Sequence, residues 1–88
     1  MAKPIGADKK RQSRNLGEAV GALVTDLRKK KGWSQNEMAE RLGFNISTIT
    51  ILETATKSPT LRTLQVVARG FGIEVSALIR TAELRMRR

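Results

Sequence analysis

The sequence has no cysteine and no histidine among its 88 residues. Without cysteine it forms no disulfide, and without either residue it lacks the usual ligand sets for zinc and copper. It also lacks the side chains most often used as general base or thiolate nucleophile, and its carboxylates are scattered rather than paired. These absences argue against a disulfide-stapled secreted protein and against an enzyme, and they predict no metal or cofactor.

Aromatic residues are also scarce, at 3% of the chain against 40% for all hydrophobic residues. The core must therefore be aliphatic, and a chain of 88 residues has room for one such core and one domain. No apolar run approaches the roughly 20 residues that span a bilayer, and no signal-peptide stretch follows the basic N-terminus. We therefore expect a cytoplasmic protein with no membrane partner.

The net charge is strongly positive, +9 from 17 lysines and arginines against 8 acidic residues. Such an excess is typical of proteins that bind a polyanion such as nucleic acid. Residues 1–14 carry five cations and one anion, residues 80–88 carry four cations and one anion, and the part between them is nearly balanced. Since residues 1–14 also hold few apolar side chains, we expect them to form a flexible basic arm.

The first helical pattern begins at Asn15. Asn15 can cap this helix together with Glu18, and Gly32 marks its end after a run of basic residues. The apolar residues that follow Asn15 fall on one stripe of an amphipathic helix: Leu16, Ala19, Val20, Leu23, Val24 and Leu27.

The second helix has complete start signals. Ser34 and Glu37 form a capping box, and Trp33 can pack as a hydrophobic staple against Met38. Gly43 ends this helix and begins a very short connection to the next. Two short helices joined by so tight a turn predict a helix-turn-helix.

The third helix is predicted from its cap Asn45 to Thr54, although its many β-branched residues would also suit a strand. At about 100° per residue, two faces separate. Thr48, Ile49 and Leu52 share the core face, and the outer face carries Ile46, Ser47, Thr50, Ile51 and Thr54.

A fourth helix starts near Pro59 and Thr60 and stops at Gly70 and Gly72, and a fifth begins near Val75. The sequence therefore predicts an all-α fold, a compact five-helix domain over residues 15–80 with a central helix-turn-helix. Residues 81–88 then form a basic C-terminal helix extension or a tail.

The chain at this point resembles the lambda-repressor-like helix-turn-helix family of phage repressors and bacterial regulators, the Cro/C1 type or XRE family. The resemblance runs from about Leu16 to Ile79. It is carried by Gly32-Trp33-Ser34-Gln35-Asn36-Glu37-Met38-Ala39-Glu40-Arg41-Leu42-Gly43, followed by Ile49, Glu53, Pro59, Leu61, Leu64 and Ala68.

The resemblance implies a cytoplasmic, nucleoid-associated transcriptional regulator, a repressor by expectation, whose recognition helix at about residues 45–54 enters the major groove. The side chains expected to reach base edges are Gln35, Ile46, Ser47, Thr50 and Ile51. Those expected to contact phosphates are Lys9, Lys10, Arg11, Arg14, Gln35, Arg41, Thr54 and Lys57. The resemblance also implies an ion pair between Arg28 and Glu53 that serves stability.

The sequence departs from its relatives at two places. Two of the base-reading positions are isoleucines, Ile46 and Ile51, where many relatives carry arginine, lysine, glutamine or asparagine. An isoleucine can still contact a thymine methyl group, and serine or threonine can bond to several bases. Ala55 stands where relatives usually have glycine, and alanine tolerates a positive φ poorly.

The sequence leaves two alternatives open and carries one expectation about assembly. The outer face of the third helix could be covered by protein, which would make the chain an adapter that no longer reads DNA. The chain could be the antitoxin of a toxin–antitoxin pair, binding its partner through an apolar line of Ile79, Ala82 and Met86, unless that line packs on the core. A homodimer on a palindromic operator is expected from the motif, with the fifth helix as its interface.

Overall fold

A computed structural model describes residues 15–86 and confirms the predicted five helices, with no strand within that range. The helices are α1 (Leu16–Lys30), α2 (Gln35–Leu42), α3 (Ile46–Thr54), α4 (Leu61–Gly70) and α5 (Val75–Met86). Within residues 15–86, no helix combines the length and the apolar character that crossing a bilayer requires.

The helix starts are set by local capping. Asn15, Ser34, Asn45 and Thr60 each accept a hydrogen bond from the backbone N–H three residues ahead, which satisfies a donor that the helix itself leaves unpaired. At Ser34 the capping box is complete, because Glu37 accepts from the Ser34 backbone N–H at 2.8 Å. The cap predictions are confirmed.

The turn between α2 and α3 needs only three residues, because Gly43 takes a left-handed conformation at φ 77°. Phe44 then donates its backbone N–H to the Ala39 carbonyl at 2.9 Å, which closes the end of α2. In α3 the helix prevails over the strand that its β-branched residues would favour, since Ile49 and Leu52 are buried on one face. The helix-turn-helix is therefore confirmed.

The core is aliphatic, as predicted, with one aromatic ring at its edge. Its buried residues are Ala19, Val20, Leu23, Val24, Met38, Ala39, Ile49, Leu52, Leu64, Val67, Ala68, Phe71, Leu78 and Ala82. At Gly21 α1 comes so close to α3 that a methyl group there would lie 2.7 Å from the carbonyl oxygens of Leu52 and Glu53. This close approach brings the end of α3 against α1.

α5 continues without a break past residue 80, so residues 81–86 are helical, one of the two forms expected for the C-terminal segment. The apolar line considered as a partner surface packs on the core instead. Ala82 is fully buried, and Ile79 and Met86 are half-buried against the core. Arg85 also pairs with Asp26 of α1 at 2.8 Å, which holds the end of α5 on α1.

The residue after α3 takes the left-handed conformation that glycine adopts most readily. Ala55 lies at φ 58° and ψ 33°, and it is the non-glycine residue with positive φ in the described range. Its N–H caps α3 by donating to the Ile51 and Leu52 carbonyls. The loop thus keeps the shape of a glycine-terminated helix, at the cost of strain at Ala55.

We expect Ala55→Gly to raise the free energy of unfolding by about 0.5–1 kcal/mol, since glycine removes the left-handed strain and this gain exceeds its extra unfolded-state entropy. Urea unfolding followed by circular dichroism measures the change. Ala22→Gly, on the exposed middle of α1, is the matched control and should lower stability by about 1 kcal/mol. Equal destabilisation by both variants would contradict the prediction.

Candidate nucleic-acid interface

The outer face of α3 is mostly exposed, and it is polar apart from its two isoleucines. Ser47, Thr50 and Thr54 are exposed, and Ile46 keeps 40% of its surface accessible. The fifth residue predicted on this face, Ile51, is half-buried in a groove against the loop after α3. Four of the five side chains are therefore presented outward, and Ile51 stands at the border of the surface.

The hydroxyl groups of this face already donate within the protein. Thr50 donates to the Ile46 carbonyl at 3.2 Å, and Thr54 donates to the Thr50 carbonyl at 2.7 Å. Ser47 donates to Oδ1 of Asn45 at 3.0 Å. With their hydrogens so used, these oxygens offer lone pairs, which suits them to accept from the amino groups of adenine or cytosine.

Arg28 and Glu53 form the predicted ion pair, and the contact is bidentate. Arg28 Nε donates to Glu53 Oε2 at 2.6 Å and Nη2 donates to Oε1 at 3.1 Å. The Glu53 side chain is only 5% exposed and that of Arg28 11%. Arg28 Nη1 also donates to the Trp33 carbonyl at 2.8 Å. The pair thus joins α1, the loop before α2, and the end of α3.

Gln35 lies at the first position of α2 and shares this ion pair. Its Nε2 donates to Glu53 Oε1 at 3.0 Å, so one amide N–H is held by α3. The second N–H and the carbonyl oxygen remain for other partners. The sequence predicted Gln35 at this surface but gave no sign of its bond to Glu53, because the two residues are 18 positions apart.

The charge of Glu53 follows from these contacts. Burial raises the pKa of the carboxyl group, but hydrogen bonds from Arg28 and Gln35 and the positive charge of Arg28 outweigh burial. The pKa is therefore held below its ordinary value of 4.5, and Glu53 is ionised at neutral pH.

Arg41, a predicted phosphate contact, lies over an aromatic ring. Its guanidinium is 5.0 Å from the centre of the Trp33 ring, and the Lys31 ammonium is 5.9 Å from the same ring. Trp33 stacks in turn on Phe71 at 5.5 Å. The staple between Trp33 and Met38 stays a prediction, and so does a phosphate contact by Arg41, which lies near the end of α2 opposite to Gln35.

Lys57 is exposed in the loop that follows α3, where it borders the same groove as Ile51. Its role as a phosphate contact stays a prediction. The predicted arm contacts fall outside the described residues: Lys9, Lys10, Arg11 and Arg14. In residues 15–86, no group of three or more metal-ligating carboxylates, histidines or cysteines is brought together.

Comparison with known proteins identifies the motif. The model of the helix-turn-helix family, of the Cro/C1 or XRE type, matches residues 24–78, which include α2, the turn and α3. The chain belongs to the helix-turn-helix family. The prediction of the family made from the residues around α2 is therefore confirmed.

Three relatives are similar to this chain in sequence. The HTH-type transcriptional regulator SutR of Escherichia coli is 31% identical over 74% of the chain, and the chain spans about a third of SutR, 36%. The HTH-type transcriptional regulator y4dJ of Sinorhizobium fredii is also 31% identical, over 74% of the chain and 84% of y4dJ. The ImmF control region 10 kDa protein of Bacillus phage phi105 is 32% identical over 70% of the chain and 69% of its own length.

A solved structure agrees with the fold. The clp gene regulator ClgR of Corynebacterium glutamicum superposes with a TM-score of 0.73 at 28% identity, over 82% of this chain and 92% of that chain. The fold of this member of the family is thus that of a helix-turn-helix regulator.

We expect Glu53→Gln to lower the free energy of unfolding at pH 7 by about 3 kcal/mol, because it leaves Arg28 buried without its anion. Since the folded-state pKa of Glu53 is lowered, its contribution is present above the unfolded value of 4.5 and is lost as the pH falls through the folded value. Wild type should therefore lose stability below pH 4.5 more steeply than the variant in urea unfolding at pH 3–7. Asp26→Asn, which breaks the exposed pair with Arg85, is the control and should cost below about 1 kcal/mol.

Proposed function

We propose that the chain is a sequence-specific DNA-binding repressor that inserts α3 into the major groove of an operator. The observation that carries this proposal is the outer face of α3, whose exposed side chains, Ile46, Ser47, Thr50 and Thr54, are left out of the core although they stand on the second helix of a helix-turn-helix. Such a helix fits the width of the major groove.

The chemistry of this face indicates how bases would be read. Ile46 offers an apolar contact to a thymine methyl group, and the oxygens of Ser47 and Thr50 accept from base amino groups. None of the three makes the bidentate contact of arginine or asparagine. Sequence preference on this face therefore comes from several single contacts, and much of the affinity comes from phosphates.

Phosphate contacts are assigned to Gln35 and Lys57, to the arm cations Arg11 and Arg14, and to Thr54 along the outer face. Thr54 must turn its hydroxyl hydrogen from the Thr50 carbonyl to the phosphate, because a phosphate oxygen only accepts. Gln35 stands at the N-terminus of α2, where unpaired backbone N–H groups also attract an anion. This assignment places the phosphate backbone beside both ends of α3. A regulator of this kind acts where the chromosome is, in the cytoplasm.

We further propose that two copies bind together through α5. One stripe of α5 lines a groove and consists of Ser76, Ile79, Arg80, Glu83 and Leu84, all of them exposed except the half-buried Ile79. Their spacing of three and four residues puts them on one face. Leu84 keeps 52% of its surface accessible, so this stripe offers an apolar side chain beside the charges of Arg80 and Glu83.

The order of these side chains is self-complementary. When two copies of α5 pack antiparallel about a two-fold axis midway between residues 81 and 82, Arg80 faces Glu83 of the partner subunit. This opposite-charge contact then occurs twice, as a two-fold interface requires. Such a pair would read the two halves of a palindrome.

DNA reading is tested by selection from a random duplex library, followed by titration of the enriched duplex at two salt concentrations. We expect an enriched palindrome and a log–log salt slope of about −0.9 for each phosphate contacted. Thr50→Ala and Gln35→Ala should each weaken binding about tenfold, since each removes one direct contact. Gln65→Ala, exposed on α4, is the matched control and should bind as wild type does.

DNA reading would be contradicted if no duplex is enriched and if the weak binding that remains is unchanged by Thr50→Ala. The outer face of α3 would then be assigned to a protein partner, as in an adapter. The antitoxin alternative loses its proposed surface, because Ala82 lies in the core.

The α5 pairing is tested by charge reversal. Arg80→Glu and Glu83→Arg should each be monomeric at micromolar concentration, because like charges then face each other across the interface. An equimolar mixture of the two variants should form a heterodimer, since every facing pair is again opposite in sign. Sedimentation velocity measures both results. Arg69→Glu, exposed on α4, is the control and should stay dimeric. A wild type that is monomeric both with and without duplex DNA would exclude the pairing.

A further inference from the structure

We propose that Glu53 is a positioning residue for DNA binding, which fixes the Gln35 amide in the orientation that meets the DNA. The inference rests on the proposed function, since it concerns how Gln35 contacts the operator. It goes beyond the stabilising role expected for the ion pair with Arg28. The observation behind it is the 3.0 Å hydrogen bond that links Gln35 Nε2 to Glu53 Oε1.

The orientation is fixed because the carboxylate has only acceptors. An ionised Glu53 can bond to the NH2 group of Gln35 but not to its carbonyl oxygen. The Gln35 amide must therefore turn its nitrogen toward α3, which decides on which side its oxygen and its second N–H are offered. In a glutamine without such a partner, rotation of the side-chain amide would let the carbonyl oxygen and the NH2 group exchange positions freely.

The carboxylate itself cannot rotate to follow Gln35. Arg28 holds both of its oxygens, through Nε at 2.6 Å and Nη2 at 3.1 Å, and the carboxylate is nearly excluded from water. Arg28 is fixed in turn by the Trp33 carbonyl two residues before Gln35. Glu53 thus acts as a rigid anchor for a side chain that would otherwise lose rotamer freedom on binding DNA.

Replacing Glu53 with glutamine reverses this orientation. The new amide has one acceptor oxygen, which Arg28 takes, and it turns its NH2 group toward Gln35. The Gln35 amide must then present its own oxygen to residue 53 and point its nitrogen elsewhere. The substitution leaves Gln35 present but misdirected, so its effect on DNA affinity should match that of removing the Gln35 side chain.

A double-mutant cycle tests this mechanism on the duplex enriched by wild type. Affinity is measured for wild type, Gln35→Ala, Glu53→Gln and the double variant, at a temperature where circular dichroism shows each to be folded. We expect both single variants to bind about tenfold weaker, and the double variant to bind no weaker than Gln35→Ala alone. Asp26→Asn, which breaks the ion pair between α1 and α5, should leave affinity unchanged.

Losses that multiply to about 100-fold in the double variant would overturn the proposal, because Glu53 would then act independently of Gln35. Wild-type affinity in Glu53→Gln would overturn it as well. If Glu53→Gln does not fold, Glu53→Asp takes its place in the cycle, since it keeps the charge for Arg28 but draws the carboxylate away from Gln35 by one methylene. The same two outcomes then decide.

The failure of this inference can be told apart from failure of the proposed function. If Thr50→Ala weakens binding and Gln35→Ala does not, the chain reads DNA and the positioning role is wrong. If no duplex is enriched by wild type, DNA reading itself has failed, and the positioning role fails with it.

Discussion

The ion pair between Arg28 and Glu53 is the contact on which the geometry of the binding surface depends. Charges so withdrawn from water are tolerated only when their hydrogen-bonding groups are satisfied, and here the carboxylate accepts from both Arg28 and Gln35. The pair forms only where the end of α1, the entrance to α2 and the end of α3 meet. Gly21 makes this meeting possible, because any side chain there would push α3 away from α1. The relative placement of the two helices of the motif is therefore tied to one carboxylate.

α3 is a helix by context rather than by propensity. Its β-branched residues favour extended backbone, yet the Asn45 cap and the burial of Ile49 and Leu52 fix it as a helix. The strained Ala55 then ends it. A helix so dependent on its surroundings keeps its shape only while it is docked, which links the stability of the core directly to the presentation of Ser47 and Thr50.

The cations of the chain lie mostly outside α3. The part of the chain between the two basic ends is nearly balanced, and α3 itself carries no cation. In the proposed complex with DNA, attraction to the phosphate backbone comes from residues around α3, and α3 itself supplies short polar and apolar contacts. In the proposed dimer, one stripe of five residues on α5 provides both sides of the interface. Apart from the half-buried Ile51 and Ile79, both surfaces consist of exposed side chains.

The sequence by itself determined the five helices, their caps, the turn and the family, because these follow from local patterns of apolar spacing and capping within a few residues. It also identified the outer face of α3, since a helix of known start and period has only one face left once Ile49 and Leu52 are buried. Tertiary structure alone decided that Gln35 is held by Glu53, that Arg41 lies over Trp33, and that Ala82 is in the core. These contacts join residues on different helices, and their partners depend on how the helices pack, which no local pattern encodes.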